Sequence, residues 1–438
     1  MQNNPSNFTY LSSGSWLLFE QVSRAIISSI YIFILAFYLG PSDFGIFIFV
    51  LTILGIIKVL INFGVEDILV KLFGTDYGNY KQYLSAALYI KILINLIILI
   101  ICVFIYTVGM NFNFILLALI ILLFFNFFST FEVIGFYYES QVQGKKIAIC
   151  KLSQLLVVTL IKAYFLLNES DLIFFIVAFG LEFFFLGIFY CISLRKELLE
   201  ILFSSFNKRV FKKIVLESYG YLFIGILGVL FVRVDQLMVK YFLDFEQLGY
   251  FGLSVRFTDV LFLLPIIFAK TIFPVMIKKS KDKMAYETFL GKIFISAVWI
   301  STILNLIILI FGYFLISKFF PDSNYVQSYY VLTIYIWALI PYTFNQITYR
   351  WLMIKNKVKD NFVRLVFALI INVLLNYSLI PLMGIFGAAI ATLLSFTLLS
   401  LLPDIIYPYS RKLFFTKIKS FNPINIFVLF KWIKNGTN

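Results

Sequence analysis

The segment Asn372-x-x-x-Asn376-x-x-x-Ile380-Pro381-x-x-Gly384-Ile385-x-Gly387-Ala388-Ala389-Ile390-Ala391-Thr392 lies between two long apolar runs. Asparagines four apart share one helix face. Pro381 and Gly384 are expected to end that helix, and the small residues after them to open another whose backbone can approach its neighbour closely. The runs on either side, at about 362–380 and 385–407, are long enough to cross a bilayer. A pair of closely packed membrane helices is therefore the unit from which the rest of the chain is read.

Ten further runs of the same kind precede this pair. They fall at about 10–38, 44–63, 82–108, 113–136, 147–167 and 172–194, then at 214–239, 250–276, 290–316 and 329–350. Twelve spans are expected, all helical, because a bilayer leaves unpaired backbone no alternative except a closed barrel. The runs are too long and too uniformly apolar for barrel strands. Composition agrees. With 62% hydrophobic and 13% charged residues and a mean hydropathy of +0.97, a soluble fold of this length could not hide its apolar surface.

A net charge of +14 would suggest a nucleic-acid partner in a soluble protein. Its distribution says otherwise. Alternate loops, together with the C-terminal tail, collect 23 of the 36 Lys and Arg, and the opposite loops hold only Lys240 and Lys318. Basic residues gather on the cytoplasmic side, so both termini are expected there. The absence of histidine removes His-based metal sites and proton relays. Cys102, Cys150 and Cys191 lie in or beside apolar runs and read as small buried hydrophobes. No metal site and no removable signal peptide is expected.

The charge-rich segment 195–213 divides the chain into halves at 1–194 and 214–410, leaving a basic tail at 411–438 whose aromatic and lysine mixture suits an interfacial helix. A weak internal repeat supports the division. Leu39-Gly40-Pro41-Ser42-Asp43-Phe44-Gly45-Ile46-Phe47 closes the first run, and Leu243-Asp244-Phe245-Glu246-Gln247-Leu248-Gly249-Tyr250-Phe251 closes the seventh. Two parallel six-helix bundles around a central cavity are the expected architecture.

Eleven basic residues fall inside the runs, where a central charge costs about 2.5–3.5 kcal/mol and needs a reason. For Lys58 and Lys162 the packing reading is favoured over the functional one. Lys91, Lys151, Lys292, Arg350 and Arg364 lie near expected cytoplasmic ends and can snorkel. Arg24 lies mid-helix with Glu20 one turn earlier. Arg233 and Asp235 fall late in the seventh run, with Arg256, Asp259 and Lys270 in the eighth. Ion pairing that merely fixes packing is the plain reading, Glu20 with Arg24 above all. The functional reading is an anionic ligand, because guanidinium matches two phosphate oxygens at once.

Taken in order, Leu39-Gly40-Pro41-x-x-Phe44-Gly45, Arg233-x-Asp235, Leu248-Gly249-Tyr250 and the Asn372–Thr392 segment resemble the O-antigen-type polysaccharide flippases of the multidrug/oligosaccharidyl-lipid/polysaccharide exporter superfamily. The resemblance covers the whole chain. It implies a MATE-like fold that flips undecaprenyl-pyrophosphate-linked oligosaccharide units across a bacterial inner membrane for O-antigen or capsule assembly. It also implies a cationic cavity onto which Arg24, Arg233, Arg256 and Lys270 map as substrate-binding candidates. Glu20, Asp235 and Asp259 are candidates for H+ or Na+ coupling, with no other cofactor. Membrane lipids and the polysaccharide polymerase machinery are candidate partners, nucleic acid is not, and a monomer suffices.

Two alternatives stay open. A drug or cation antiporter of the same superfamily would use cavity carboxylates, for which Glu20, Glu132, Glu182, Asp235 and Asp259 are available. A polysaccharide polymerase or ligase would act from a large outward loop, and the outward loops here are short. No Gly-x-x-x-x-Gly-Lys-Ser/Thr loop is present, so the chain is not itself a nucleotide-driven pump.

Overall fold

A computed structural model describes residues 7–75, 79–109, 113–195, 200–201, 207–319 and 325–425. The expected interfacial helix of the tail is described as far as 425, and its remainder lies outside the described residues, as does much of the 195–213 segment. Among the described residues every regular element is helical. Ten of the described helical stretches are long and apolar enough to cross a membrane.

The first two expected runs share α1 (Asn7–Asn62), which bends at Gly40, where φ is 71° and ψ is 171°. A short α2 (Val65–Thr75) leads into α3 (Tyr80–Val108). The fourth run is α4 (Phe114–Asn126) and α5 (Val133–Ser140), joined by a 3-10 segment over Phe127–Glu132. α6 (Gly144–Leu167) and α7 (Leu172–Ser193) complete the first half. The second half runs through α8 (Lys208–Phe242), α9 (Phe245–Lys279) and α10 (Lys283–Phe319). The tenth run is broken into α11 (Val326–Tyr335), a 3-10 turn and α12 (Leu339–Ile354). α13 (Val358–Met383), α14 (Ile385–Ile406) and the short α15 (Arg411–Ser420) follow. The twelve expected runs thus all lie on helix, with the first two merged and the fourth and tenth divided by 3-10 turns.

The Asn372–Thr392 segment folds as a helix pair, with one difference. Pro381 does not end α13. It sits in the last turn, and Gly384 makes the reversal with φ 59° and ψ −139°, a conformation open to glycine because it has no Cβ. The return is tight, since a Cβ on Gly387 would lie 2.2 Å from the Leu379 carbonyl oxygen. Ala388, Ala389, Ala391 and Thr392 are buried against this approach, the small-residue packing of membrane helices.

The chain forms two compact units, one of residues 1–39 and 46–229, the other of 40–45 and 230–438. The first is packed around Val65, Leu69, Leu84, Ile134, Tyr138 and Tyr190. The second has Ile293, Phe294, Phe344, Ile347 and Leu352 at a core of its own. Along α1, Val22, Ile26, Ile30, Ile34 and Phe37 form an exposed apolar stripe at helical spacing. Such a stripe suits lipid and would be unstable in water. The protein is a multi-pass membrane protein.

The repeat has a structural meaning within the second unit. A Cβ on Gly45 would lie 1.7 Å from the Phe245 carbonyl oxygen, and one on Gly249 would lie 2.0 Å from that of Pro41. Pro41 and Phe245 are the third residues of the two nine-residue copies, and Gly45 and Gly249 the seventh. Each glycine therefore receives the equivalent carbonyl of the other copy, a local two-fold relation.

Candidate functional site: charged groups inside the helices

Arg24 is held by two helices. Its Nε donates to Glu20 Oε1 at 2.7 Å, one turn back on α1. Its Nη1 donates to Gln154 Oε1 at 3.1 Å and its Nη2 to the Lys151 carbonyl at 3.3 Å, both on α6. The ion pair expected from spacing alone is present. Glu20 is nearly closed off, while 32% of the Arg24 side chain remains exposed.

That exposed part opens on a cavity of about 370 Å³ within the first unit, which Lys58, Glu132, Lys151, Gln154 and Glu182 also line. Two elements besides α1 and α6 shape it, the 3-10 segment and α7. The 3-10 segment between α4 and α5 carries Glu132 to the wall, 3.6 Å from the Lys151 ammonium. Glu182 on α7 pairs with Lys162 of α6. Lys58, on the second limb of α1, lies 4.4 Å from the Phe183 ring centroid. Among the described residues no carboxylate forms an ion pair with Lys58. The lining carries three cations against two carboxylates.

In the second unit Asp259 is shared by two guanidinium groups. Arg233 reaches its Oδ2 at 3.1 Å and Arg256 at 3.5 Å. One carboxylate cannot satisfy both. Arg233 Nη1 and Arg256 Nε are buried without a hydrogen-bond partner among the described residues, donors whose desolvation nothing offsets. Asp235, two residues beyond Arg233, is almost fully buried. It accepts from Thr392 Oγ1 at 3.2 Å, while Asn376 on α13 donates to Asn372 Oδ1 at 3.0 Å. Lys270 is exposed on α9 and shares no ion pair with the two arginines among the described residues.

Within the first unit Glu20 meets Arg24, and within the second Arg233 and Arg256 meet on Asp259. That Lys58, Lys151 and Gln154 face the same cavity as Arg24 is not legible from local spacing. Two basic residues expected to snorkel are buried instead. Lys91 is 1% exposed and Arg364 2%. Arg364 donates to Asp404 at 2.9 Å, and Lys417 of α15 reaches the other oxygen of that carboxylate at 2.7 Å. Lys417 lies past the last span, and burial pushes its ammonium pKa down, against the pull of Asp404.

A sequence profile described as polysaccharide biosynthesis protein matches residues 10–280. The chain belongs to the polysaccharide biosynthesis protein family. Its fold is that of the MOP-superfamily transporters. A multidrug resistance MATE family transporter in its inward-facing conformation superposes with a TM-score of 0.71 at 14% identity, over 92% of this chain and 99% of that one. The lipid II flippase MurJ, inward closed, gives 0.62 at 16% identity over 96% and 93%. A MOP superfamily transporter from Pyrococcus furiosus, whose binding pocket is described as reversed in polarity, gives 0.62 at 13% over 96% and 99%. No curated protein matches the chain in sequence.

Proposed function

We propose that this protein is a flippase that moves undecaprenyl-pyrophosphate-linked oligosaccharide units from the cytoplasmic to the outer face of a bacterial inner membrane, for surface polysaccharide assembly. The observation that carries the reading is the Arg24 cavity, where Lys58 has no carboxylate partner among the described residues. A basic wall at membrane depth needs an anion to offset its desolvation, and a pyrophosphate supplies it. The arginine pair on Asp259, with its two unpartnered donors, is the second cationic candidate. No bond need be broken. Two access states and a site that holds the headgroup in both suffice, with residues 1–194 and 214–410 as the two halves that exchange access.

Ion coupling, where present, is assigned to Asp235. Glu20 and Asp259 are tied to arginines, whereas Asp235 is held by the Thr392 hydroxyl and a backbone N–H. The family and the MurJ likeness support a lipid-linked cargo, and the strongly basic loops support cytoplasmic termini. Glu132 and Glu182 line the same cavity as Arg24, and this favours a drug or cation antiporter as the second reading.

The test is complementation of a bacterium that lacks its own repeat-unit flippase but makes the matching unit. Surface polymer and cytoplasmic-face lipid-linked intermediate are measured together. Restored polymer with falling intermediate is expected. No restoration despite normal insertion, with resistance to cationic drugs conferred instead, overturns the flippase reading in favour of the antiporter.

A further inference from the structure

A second cavity of about 370 Å³ lies in the first unit, away from the Arg24 site and among the basic loops. It is formed where α5 ends, α6 begins and α7 ends, and its lining includes Tyr137, Tyr138, Gln143, Lys146, Ser193 and Arg195. Among the described residues no carboxylate lines it. Lys146 lies 4.9 Å from the Tyr138 ring centroid, and neither Lys146 nor Arg195 forms an ion pair with a described carboxylate.

The hydrogen bonds decide what kind of ligand fits. Ser193 Oγ donates to the Tyr190 carbonyl at 2.7 Å, and Tyr138 and Ser193 share their hydroxyls at 3.1 Å. With its hydrogen given to Tyr190, Ser193 is the acceptor for the Tyr138 hydroxyl. Neither hydroxyl then has a hydrogen to offer an anion, so the charged donors that line the cavity are Lys146 and Arg195. One buried acceptor, Gln143 Oε1, has no hydrogen-bond partner among the described residues. A ligand that satisfies the whole set brings an anionic group for Lys146 and Arg195 and a hydroxyl hydrogen for Gln143.

We propose that this cavity, bounded by Tyr138, Gln143, Lys146 and Arg195, binds a phosphate-bearing headgroup that also carries a hydroxyl, with an anionic phospholipid of the phosphatidylglycerol type as its source. Basic pockets between helices at the cytoplasmic surface suit such headgroups. The rigid aromatic wall, with Tyr137 stacked on Tyr80 at 4.9 Å, supplies a fixed floor. The site is independent of the transport reading, because it shares no residue with the Arg24 cavity.

The test measures lipid binding to the purified full-length protein in detergent by native mass spectrometry. Phosphatidylglycerol, phosphatidylmethanol and phosphatidylcholine are compared, with glycerol 3-phosphate as a soluble competitor. Saturable binding of phosphatidylglycerol over phosphatidylcholine is expected. The double variant Lys146→Gln/Arg195→Gln should weaken it about thirtyfold, the loss for two basic side chains at an anionic surface. The matched-charge control Lys281→Gln/Lys283→Gln, on the second unit, should not. Gln143→Leu should abolish the preference for phosphatidylglycerol over phosphatidylmethanol, which has the same charge and no hydroxyl. Displacement by glycerol 3-phosphate would support the site with a soluble phosphate ester as its source, and resistance to it would support the membrane headgroup. Equal loss in the control variant, or binding indifferent to the Lys146/Arg195 pair, overturns the proposal. Polymer export is read separately in the complemented strain, so failure here leaves the flippase reading untouched.

Discussion

Lys58 and Arg24 line one cavity, but different things hold them. Three of the Arg24 donors are engaged by Glu20, Gln154 and the Lys151 carbonyl, whereas the Lys58 ammonium rests on the Phe183 ring. Removing either charge should impair export for different reasons. Lys58→Gln should leave insertion and stability intact and cut export about tenfold or more, because a lost charge-assisted contact is worth roughly 1.5–3 kcal/mol. Lys58→Arg should keep most of it. Arg24→Ala should abolish export and also release Glu20, which is buried, so a fall in thermal midpoint should accompany it. Arg24→Lys should restore at most part of the activity, since an ammonium cannot reproduce the forked geometry. Full export in Lys58→Gln at normal expression would remove this residue from the site. The sequence put Arg24 forward because its partner is four residues away, a local pattern. Nothing local distinguishes Lys58, whose lack of a partner depends on where α6, α7 and the 3-10 segment place their carboxylates.

At the scale of elements, the junction of α13 and α14 separates two kinds of glycine. Nothing lies within 4 Å of where a Cβ on Gly384 would sit, so Gly384→Ala is disfavoured by backbone conformation alone, at about 1–3 kcal/mol. Gly387 has ordinary dihedrals, but its Cβ would meet the Leu379 carbonyl oxygen at 2.2 Å. Gly387→Ala should therefore force the two helices apart and lower the thermal midpoint in detergent more than Gly384→Ala does. An unchanged midpoint in Gly387→Ala would show that the pair can separate freely. The spacing of small residues made this packing legible. The part played by Pro381 was misread, because a proline in the last turn forfeits only one hydrogen bond.

The buried Arg364–Asp404–Lys417 group ties α13, α14 and α15 together. Asp404→Asn leaves two buried cations uncompensated and should cost about 3–5 kcal/mol, the usual penalty for breaking a buried pair. Lys417→Met should cost less, because Arg364 still neutralises Asp404 and the new side chain packs against Phe294 and Phe344, which lie near the present ammonium. Thermal unfolding of both variants checks the order, and the reverse order would mean that Lys417 rather than Asp404 is the keystone. Arg364 read as a snorkelling residue because its partners lie 40 residues away or more, beyond any local window.

For the whole molecule, helices were legible and the pairings between distant segments were not, for one physical reason. The bilayer forces every spanning segment to satisfy its own backbone, so length and apolarity alone mark a helix. Which charged side chains meet is set by packing between distant segments, and the same composition permits many pairings. The charge asymmetry of the loops is the exception, a global property that a sequence carries openly. It makes a prediction about the molecule as a whole. A phosphatase active only outside the cytoplasm should be inactive when joined after Ser420, which ends the basic α15, and active when joined after Lys318 at the C-terminal end of α10. Each extra pair of lysines placed beside Lys318 should reduce that activity by holding the loop back, as the bias of basic residues requires. Activity at both junctions, or at Ser420 alone, would mean that the 23-to-2 distribution does not orient this chain. The Tyr138–Lys146–Arg195 cavity would then face the outer leaflet, with a different lipid population to meet.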